Sequence, residues 1–326
     1  MTNRNITLDI AKGIGILLVV LGHGYSSENG LYYWISSFHM PLFFIVTGIV
    51  YGMRAHPSTL SAFPLRKKLY SLLMPYLIWS LITQSFLGAL KIIGGNAPVQ
   101  VLTSILKQIL TGNAGFLWFL PTLFLAEFLF YLFSNDRARL VGALILGGVG
   151  LFCSPSPGAD FDFRVFVAFF FICSGYFVHA LFRKPMYNPL LALIGCISIL
   201  LGVYNGEVII PGGHLGNPLV FVITALTGTI FMLQLSMRIN RHIPRFASAL
   251  SWLGQNSIVI LCVHNILTES IRLIDYKTFH ILPNAGVAEG FIVTTLTMAV
   301  LIPTIGLLNR YLYWSFGKKT SKASSK

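Results

Sequence analysis

The chain has 326 residues, 55% of them hydrophobic and only 10% charged, with a mean hydropathy of +0.75. A soluble domain carries about 25% charged residues to solvate its surface, so a water-soluble fold is excluded and lipid is the solvent of much of this chain. The net charge of +13 falls in small basic groups between hydrophobic runs, with no long basic tract or nucleic-acid motif, which excludes nucleic acid as a partner.

In chain order, windows of about 19 residues predict membrane-spanning helices over 6 to 25, 31 to 53, 68 to 90, 116 to 134, 138 to 154, 164 to 182, 188 to 205, 218 to 237, 250 to 271 and 287 to 314. The expected class is therefore an all-α, polytopic integral membrane protein with about ten transmembrane helices. The first run carries Asp9, Lys12 and His23 and lacks a small-residue cleavage site, so it reads as a retained helix rather than a signal peptide. Pro41, Pro75 and Pro303 mark breaks or kinks. Between Lys91 and Gly115 the segment Val99 to Leu110 has helical apolar spacing and is expected to lie flat on the outer surface. One transmembrane domain then covers 1–317, followed by a Lys- and Ser-rich cytoplasmic tail, 318–326, expected to be disordered.

Orientation follows from the basic residues. One side takes Arg4, Arg54, Arg66, Lys67, Lys68, Arg137, Arg139, Arg183, Lys184, Arg238, Arg241, Arg245, Arg310, Lys318, Lys319, Lys322 and Lys326, which is 17. The other takes Lys91, Lys107, Arg164, Arg272 and Lys277, which is 5, with Lys12 inside the first helix. The positive-inside rule places both termini in the cytoplasm. Cys153, Cys173, Cys196 and Cys262 lack metal-ligand spacing and read as buried small hydrophobes, so neither a disulfide framework nor a metal is expected. The aromatic runs Phe43-Phe44 and Phe169-Phe170-Phe171 read as packing or lipid-facing. Gly147, Gly148 and Gly150 form a small-residue face suited to packing within or between chains.

Ionisable groups within a bilayer cost several kcal/mol, so those present usually have a task. They are Asp9, Lys12, His23, His39, Glu127 and His264. Lys12 and His23 are eleven residues apart, about 16 Å along a helix and about 20° around it, and so share a face. Asp9 stands one turn below, placed for an i, i+3 ion pair with Lys12. His39 and His264 fall in the outer half of the membrane, with Asn265 beside His264 and Glu127 below Trp118. Each histidine also has a structural reading, a buried ring hydrogen-bonded to a carbonyl, and Glu127 that of a bridge between helices.

The opening LDIAKGIGILLVVLGH, the second-helix FHMPLFFIVTGIVYG, LWFLPTLFLAEFLFY from Leu117 and LGQNSIVILCVHNIL from Leu253 together resemble the bacterial membrane acyltransferase 3 family, in its stand-alone, fucose 4-O-acetylase-like branch. That resemblance implies a multi-pass protein of the bacterial inner membrane. It would transfer an acyl group, usually acetyl, from cytoplasmic acetyl-CoA or another acyl-CoA to a hydroxyl of a cell-surface glycan or its lipid-linked precursor. The family's first helix has a basic residue, ten others, then histidine, which here are Lys12 and His23. Arg is common at the first position, and Lys keeps the charge while losing bidentate phosphate binding.

On this reading His23 is the general base, and His39 or Asn265 donates to the developing oxyanion. Lys12, Arg66, Lys67 and Lys68 are the cations for the donor's phosphates, and Trp118, Glu127, His264, Asn265 and Glu269 support acceptor binding. A transporter or flippase of lipid-linked sugars also needs intramembrane charge, and a proton-coupled exchanger also suits Asp9, Glu127 and the histidines. Neither needs a histidine on the stripe of Lys12, and no internal repeat or paired broken helices are visible. A non-catalytic scaffold explains the hydrophobicity alone.

Overall fold

The computed structural model describes residues 5–25, 29–54, 62–153, 163–279, 282 and 286–318. Arg4 and residues 319–326, which hold most of the expected tail, lie outside them. Among the described residues the regular elements are helices, with a single antiparallel bridge between Ile209 and His214. Their starts follow local chemistry. Asn5, Asn29, Asn135 and Asn217 each accept a backbone N–H of the first turn through the side-chain oxygen, capping α1 (Ile6–Gly24), α2 (Gly30–Gly52), α7 (Asp136–Phe152) and α10 (Pro218–His242). Proline occupies the first turn of α5 (Pro98–Leu110), α9 (Asn188–Asn205), α10 and α11 (Pro244–Gln255), where its missing N–H costs nothing, while Pro75 stands inside a continuous helix, just where a π-turn passes into α4 (Met74–Ile93).

Eight helical stretches of the described residues are long and apolar enough to cross a bilayer: Ile6–Gly24, Gly30–Gly52, Leu65–Ile93, Pro98–Leu132, Asn188–Asn205, Pro218–His242, Ser257–Phe279 and Val287–Tyr311. The protein is thus a polytopic, all-α membrane protein. Two further helices, α7 and the apolar α8 (Arg164–Val178), are shorter.

The polarity of the chain suits lipid rather than water. Ser37, Ser80, Thr224, Thr229, Gln234, Ser236 and Thr297 are wholly buried, while Leu77, Leu144, Ile145, Leu200, Leu219 and Leu307 are exposed. Among these buried hydroxyls Ser37 donates to the Tyr33 carbonyl, Thr224 to Val220 and Ser236 to Met232, each within its own helix, while Thr297 pairs with Thr268 of a neighbouring helix at 3.3 Å. The cysteine expectation holds for Cys173 and Cys262, but Cys153 and Cys196 are exposed, because here an apolar group loses nothing by facing outward.

The chain divides into two compact units. The first comprises Met1–Phe63, Ala126–Ser257 and Pro283–Phe291. It is organised by two helix crossings where backbones touch through glycine. A Cβ on Gly48 would collide with the Ile172 carbonyl, and one on Gly175 with the Ile45 carbonyl, so α2 and α8 meet at reciprocal glycines. In the same way a Cβ on Gly13 would strike the Leu250 carbonyl, and one on Gly254 the Asp9 carbonyl, locking α1 to α11. Of the aromatic runs, Phe44, Phe169 and Phe171 are buried packing residues.

The glycines of α7 separate cleanly. Gly147 abuts Phe170 and Gly150 abuts Phe166 and Val167, whereas Gly148 has no neighbour within 4 Å of an added Cβ. Gly148→Ala is expected to leave the melting temperature unchanged or raise it, by up to about 1 kcal/mol of helix propensity, and Gly147→Ala to lower it. Equal shifts in a detergent melt would contradict this packing.

The second unit comprises Pro64–Leu125, Ile258–Leu282 and Ile292–Lys326. Its first helix begins as α3 (Leu65–Lys68), passes through a π-turn at Leu69–Leu73 and continues as α4. The expected surface segment is the helix α5, which packs Val101 and Ile105 over Gly88 and leaves Val99, Leu102, Leu106 and Leu110 exposed. A 3-10 turn, Gly115–Trp118, leads into α6 (Phe119–Leu132).

The single helix expected over 250 to 271 is two, α11 and α12 (Ser257–Ile274), broken at Asn256. Asn256 has φ −104° and ψ 13°; its N–H donates to the Trp252 and Leu253 carbonyls and its side-chain amide to Trp252, which ends α11. Pro303 sits within α13 (Val287–Tyr311), and a last 3-10 turn spans Tyr313–Phe316.

Candidate active site

The candidate site of the first unit is built on α1. Its Asn5 cap fixes the first turn, and Asp9 in that turn is 2% exposed. The Lys12 Nζ lies 3.0 Å from Asp9 Oδ1, so the expected ion pair is present, with the Asp9 side chain 3% and the Lys12 side chain 30% exposed. A carboxylate this buried is held by its lysine and by the positive end of α1, where N–H groups without intrahelical partners favour an anion. The pair stands beside the Gly13–Gly254 crossing, the closest approach of α1 and α11.

Going around α1, Ile14, Leu17 and Leu18 are half-buried and, with half-buried Thr7, form one mainly apolar face, roughly 140° to 240° from Lys12. Lys12 and His23 are half-buried on the opposite face, where Leu8, Ile16 and Val19 are buried. The two ionisable side chains therefore do not share the apolar face.

The register between α1 and α2 sets the depth of His39. Gly15 packs against Leu42 and Phe43, and Gly22 against Ile35, so these antiparallel helices pair residues whose numbers sum to 57. His39 is then level with Leu18, about 7.5 Å below His23 and about 9 Å above Lys12. Lys12, His39 and His23 form a ladder of three polar levels, a relation that sequence spacing on one helix does not reveal.

The tautomer of His39 is set as well. Its Nδ1–H donates to the Ile35 carbonyl at 2.7 Å, since a carbonyl only accepts, and the neutral ring keeps its lone pair on Nε2. Such a ring donates to an oxyanion through Nε2 only when protonated, which alters the sequence expectation for this residue.

Glu127 is 1% exposed on α6 and interacts electrostatically with Tyr51 and Tyr131, both of which also sense Arg54. Tyr51 stacks on Phe130 at 5.1 Å, and the Arg139 guanidinium lies 4.6 Å from the same ring. This tyrosine-lined setting of Glu127 has no signature in the sequence, because its members come from α2, α6 and α7.

In the second unit, His264 is wholly buried on α12, its Nδ1–H shared between the Ile260 and Leu261 carbonyls at 3.0 Å each. Phe116 lies 6.0 Å from its ring, so the turn carrying buried Trp118 reaches α12. Asn265 is 7% exposed beside it. Glu269 pairs loosely with Arg272 at 3.7 Å, a half-exposed pair of small energetic weight. Arg66 and Lys67 are exposed and Lys68 half-buried at the start of the first helix of this unit.

Residues 5–306 match the model of the acyltransferase 3 family, described as an acyltransferase domain. The chain belongs to this acyltransferase family. It is also similar to nodulation protein NolL of Mesorhizobium japonicum, at 28% identity over 134 residues, which is 38% of this chain and 34% of that protein. The match to that relative thus spans about a third of its length. No solved structure matches the chain. The family match runs from the Asn5 cap of α1 into α13 and so includes the ladder of Lys12, His39 and His23.

Proposed function

We propose that this acyltransferase moves an acetyl group from cytoplasmic acetyl-CoA to a hydroxyl of a cell-surface glycan or its lipid-linked precursor, with His23 as the general base. The observation that carries the reading is the Asp9–Lys12 ion pair on the face of α1 that also bears His23. The basic excess on one side supports a cytoplasmic N-terminus, and the eight long apolar stretches become ten spans with α7 and α8. The membrane is then a bacterial inner membrane, with donor and acceptor approaching from opposite faces.

The thioester is already activated, so the protein's task is alignment and proton transfer. His23 takes the proton as the acceptor oxygen attacks the thioester carbonyl, the tetrahedral intermediate collapses, and the thiolate leaves and is protonated by the imidazolium. Lys12, about 16 Å away along α1, meets the phosphate end of the donor, a separation suited to an extended pantetheine arm. Arg66, Lys67 and Lys68 add positive potential that draws the anionic donor to that side. His39 in its fixed tautomer accepts a hydrogen bond through Nε2, and Trp118, Glu127, His264, Asn265 and Glu269 are assigned to acceptor recognition and support.

Lys12→Ala removes both the donor contact and the counter-charge of Asp9. Combined with Asp9→Asn, which relieves that burial, it is expected to raise KM for acetyl-CoA about tenfold or more with a smaller change in kcat, and Lys12→Arg to retain activity. Unchanged KM in the double variant would remove Lys12 from the donor site.

A further inference from the structure

In the second unit a groove of about 1220 Å³ follows one face of the helix running from α3 through the π-turn into α4. Arg66, Lys67 and Tyr70 stand at its head, and Leu69, Leu73 and Leu77 descend its wall at four-residue steps. The opposite face of the same helix, with Leu72, Tyr76, Trp79 and Ser80, is buried. Leu69 is 40% and Leu77 54% exposed, so the wall is open along a segment apolar enough to cross a bilayer.

The end of the described chain reaches the same head, the Lys318 ammonium itself donating to Asn309 Oδ1 at 2.7 Å. Trp79 stacks on Phe316 at 5.0 Å and its indole N–H donates to Ser315 Oγ at 3.3 Å, which anchors the last 3-10 turn. Gly317 follows with φ +65° and lines the groove, so close to the Tyr70 carbonyl and Ser71 Cα that no Cβ fits. The Tyr70 hydroxyl donates to the Lys318 carbonyl at 3.5 Å, bringing Lys318 beside residues some 250 positions earlier in sequence. Among the described residues no carboxylate pairs with Arg66 or Lys67.

We propose that this groove binds an anionic phospholipid, with its headgroup phosphate at Arg66 and Lys67 and one acyl chain along Leu69, Leu73 and Leu77. From Arg66 to Leu77 the helix rises about 16 Å, close to the roughly 15 Å hydrocarbon depth of a single leaflet. Paired cations beside the membrane surface favour anionic headgroups, and the bare leucines below them suit an acyl chain. Coenzyme A is polar along its nucleotide and pantetheine and would lay those groups against exposed leucines in the hydrocarbon region, so the apolar wall favours a lipid over the donor at these cations.

Native mass spectrometry of the full chain in mild detergent, offered phosphatidylglycerol or phosphatidylcholine, reads this directly and independently of acyl transfer. The wild type is expected to retain phosphatidylglycerol about tenfold or more over phosphatidylcholine, and Arg66→Gln/Lys67→Gln to lose that preference. Leu73→Trp, which fills the groove and keeps the charge, is expected to reduce retention of both lipids. Equal retention of the two lipids by the wild type, or an undiminished preference in the double variant at an unchanged melting temperature, would overturn the proposal. So would displacement of phosphatidylglycerol by coenzyme A, which would make the groove the donor site.

Discussion

His23→Ala is expected to lower the single-turnover rate of acetyl transfer by about 10²- to 10⁴-fold, the contribution usual for a positioned general base, while binding of acetyl-CoA changes little. The separation of effects is the informative part. Lys12 lies about 16 Å away on the same face and acts on the donor's anionic end, so its loss appears in KM, whereas His23 acts on a proton in flight and its loss appears in the chemical step. A melting temperature equal to wild type would accompany the effect, since His23 is half-buried at the end of α1 and makes no part of the glycine crossings that lock the first unit.

Gly254→Val is expected to have the largest effect on folding. Its Cβ would enter the Asp9 carbonyl, a backbone atom that cannot rotate away, and the branched methyls would widen the α1–α11 crossing further. Overpacking of this kind costs about 1–3 kcal/mol or more, and here it also displaces the turn that holds the Asp9–Lys12 pair. Gly13→Val meets the same crossing from the other side, at the Leu250 carbonyl. Both variants should melt well below wild type in detergent and lose activity together. Gly148→Val, in open space, is the control. A Gly254→Val protein with wild-type melting would mean that α1 and α11 are not in backbone contact.

Much of the helical pattern is visible in the sequence because lipid demands long apolar helices, and the run at 188 to 205 has the same bounds in the structure as α9. Breaks inside such runs are not visible. A window of about 19 residues averages over the short polar run Gln255-Asn256-Ser257, and the π-turn at Leu69–Leu73 is a backbone event that changes no side chain. The stripe of Asp9, Lys12 and His23 is legible because it lies on one helix and needs only the helical repeat. The depth of His39 is not, because it depends on how α1 and α2 register at Gly15 and Gly22. Nor does a glycine count distinguish Gly254, where two backbones meet, from Gly148, where nothing does. The outward-facing Cys153 and Cys196 show the same limit, for in lipid an apolar residue has no preferred side.

The most direct test of donor, acceptor class and catalytic helix together is single-turnover transfer from radiolabelled acetyl-CoA by the purified protein in nanodiscs supplied with a total glycan-lipid extract. The account predicts label in the glycan fraction, coupled to release of free coenzyme A. A wild-type protein that neither binds nor consumes acetyl-CoA or any other acyl-CoA would contradict it and turn attention to transport of lipid-linked sugars.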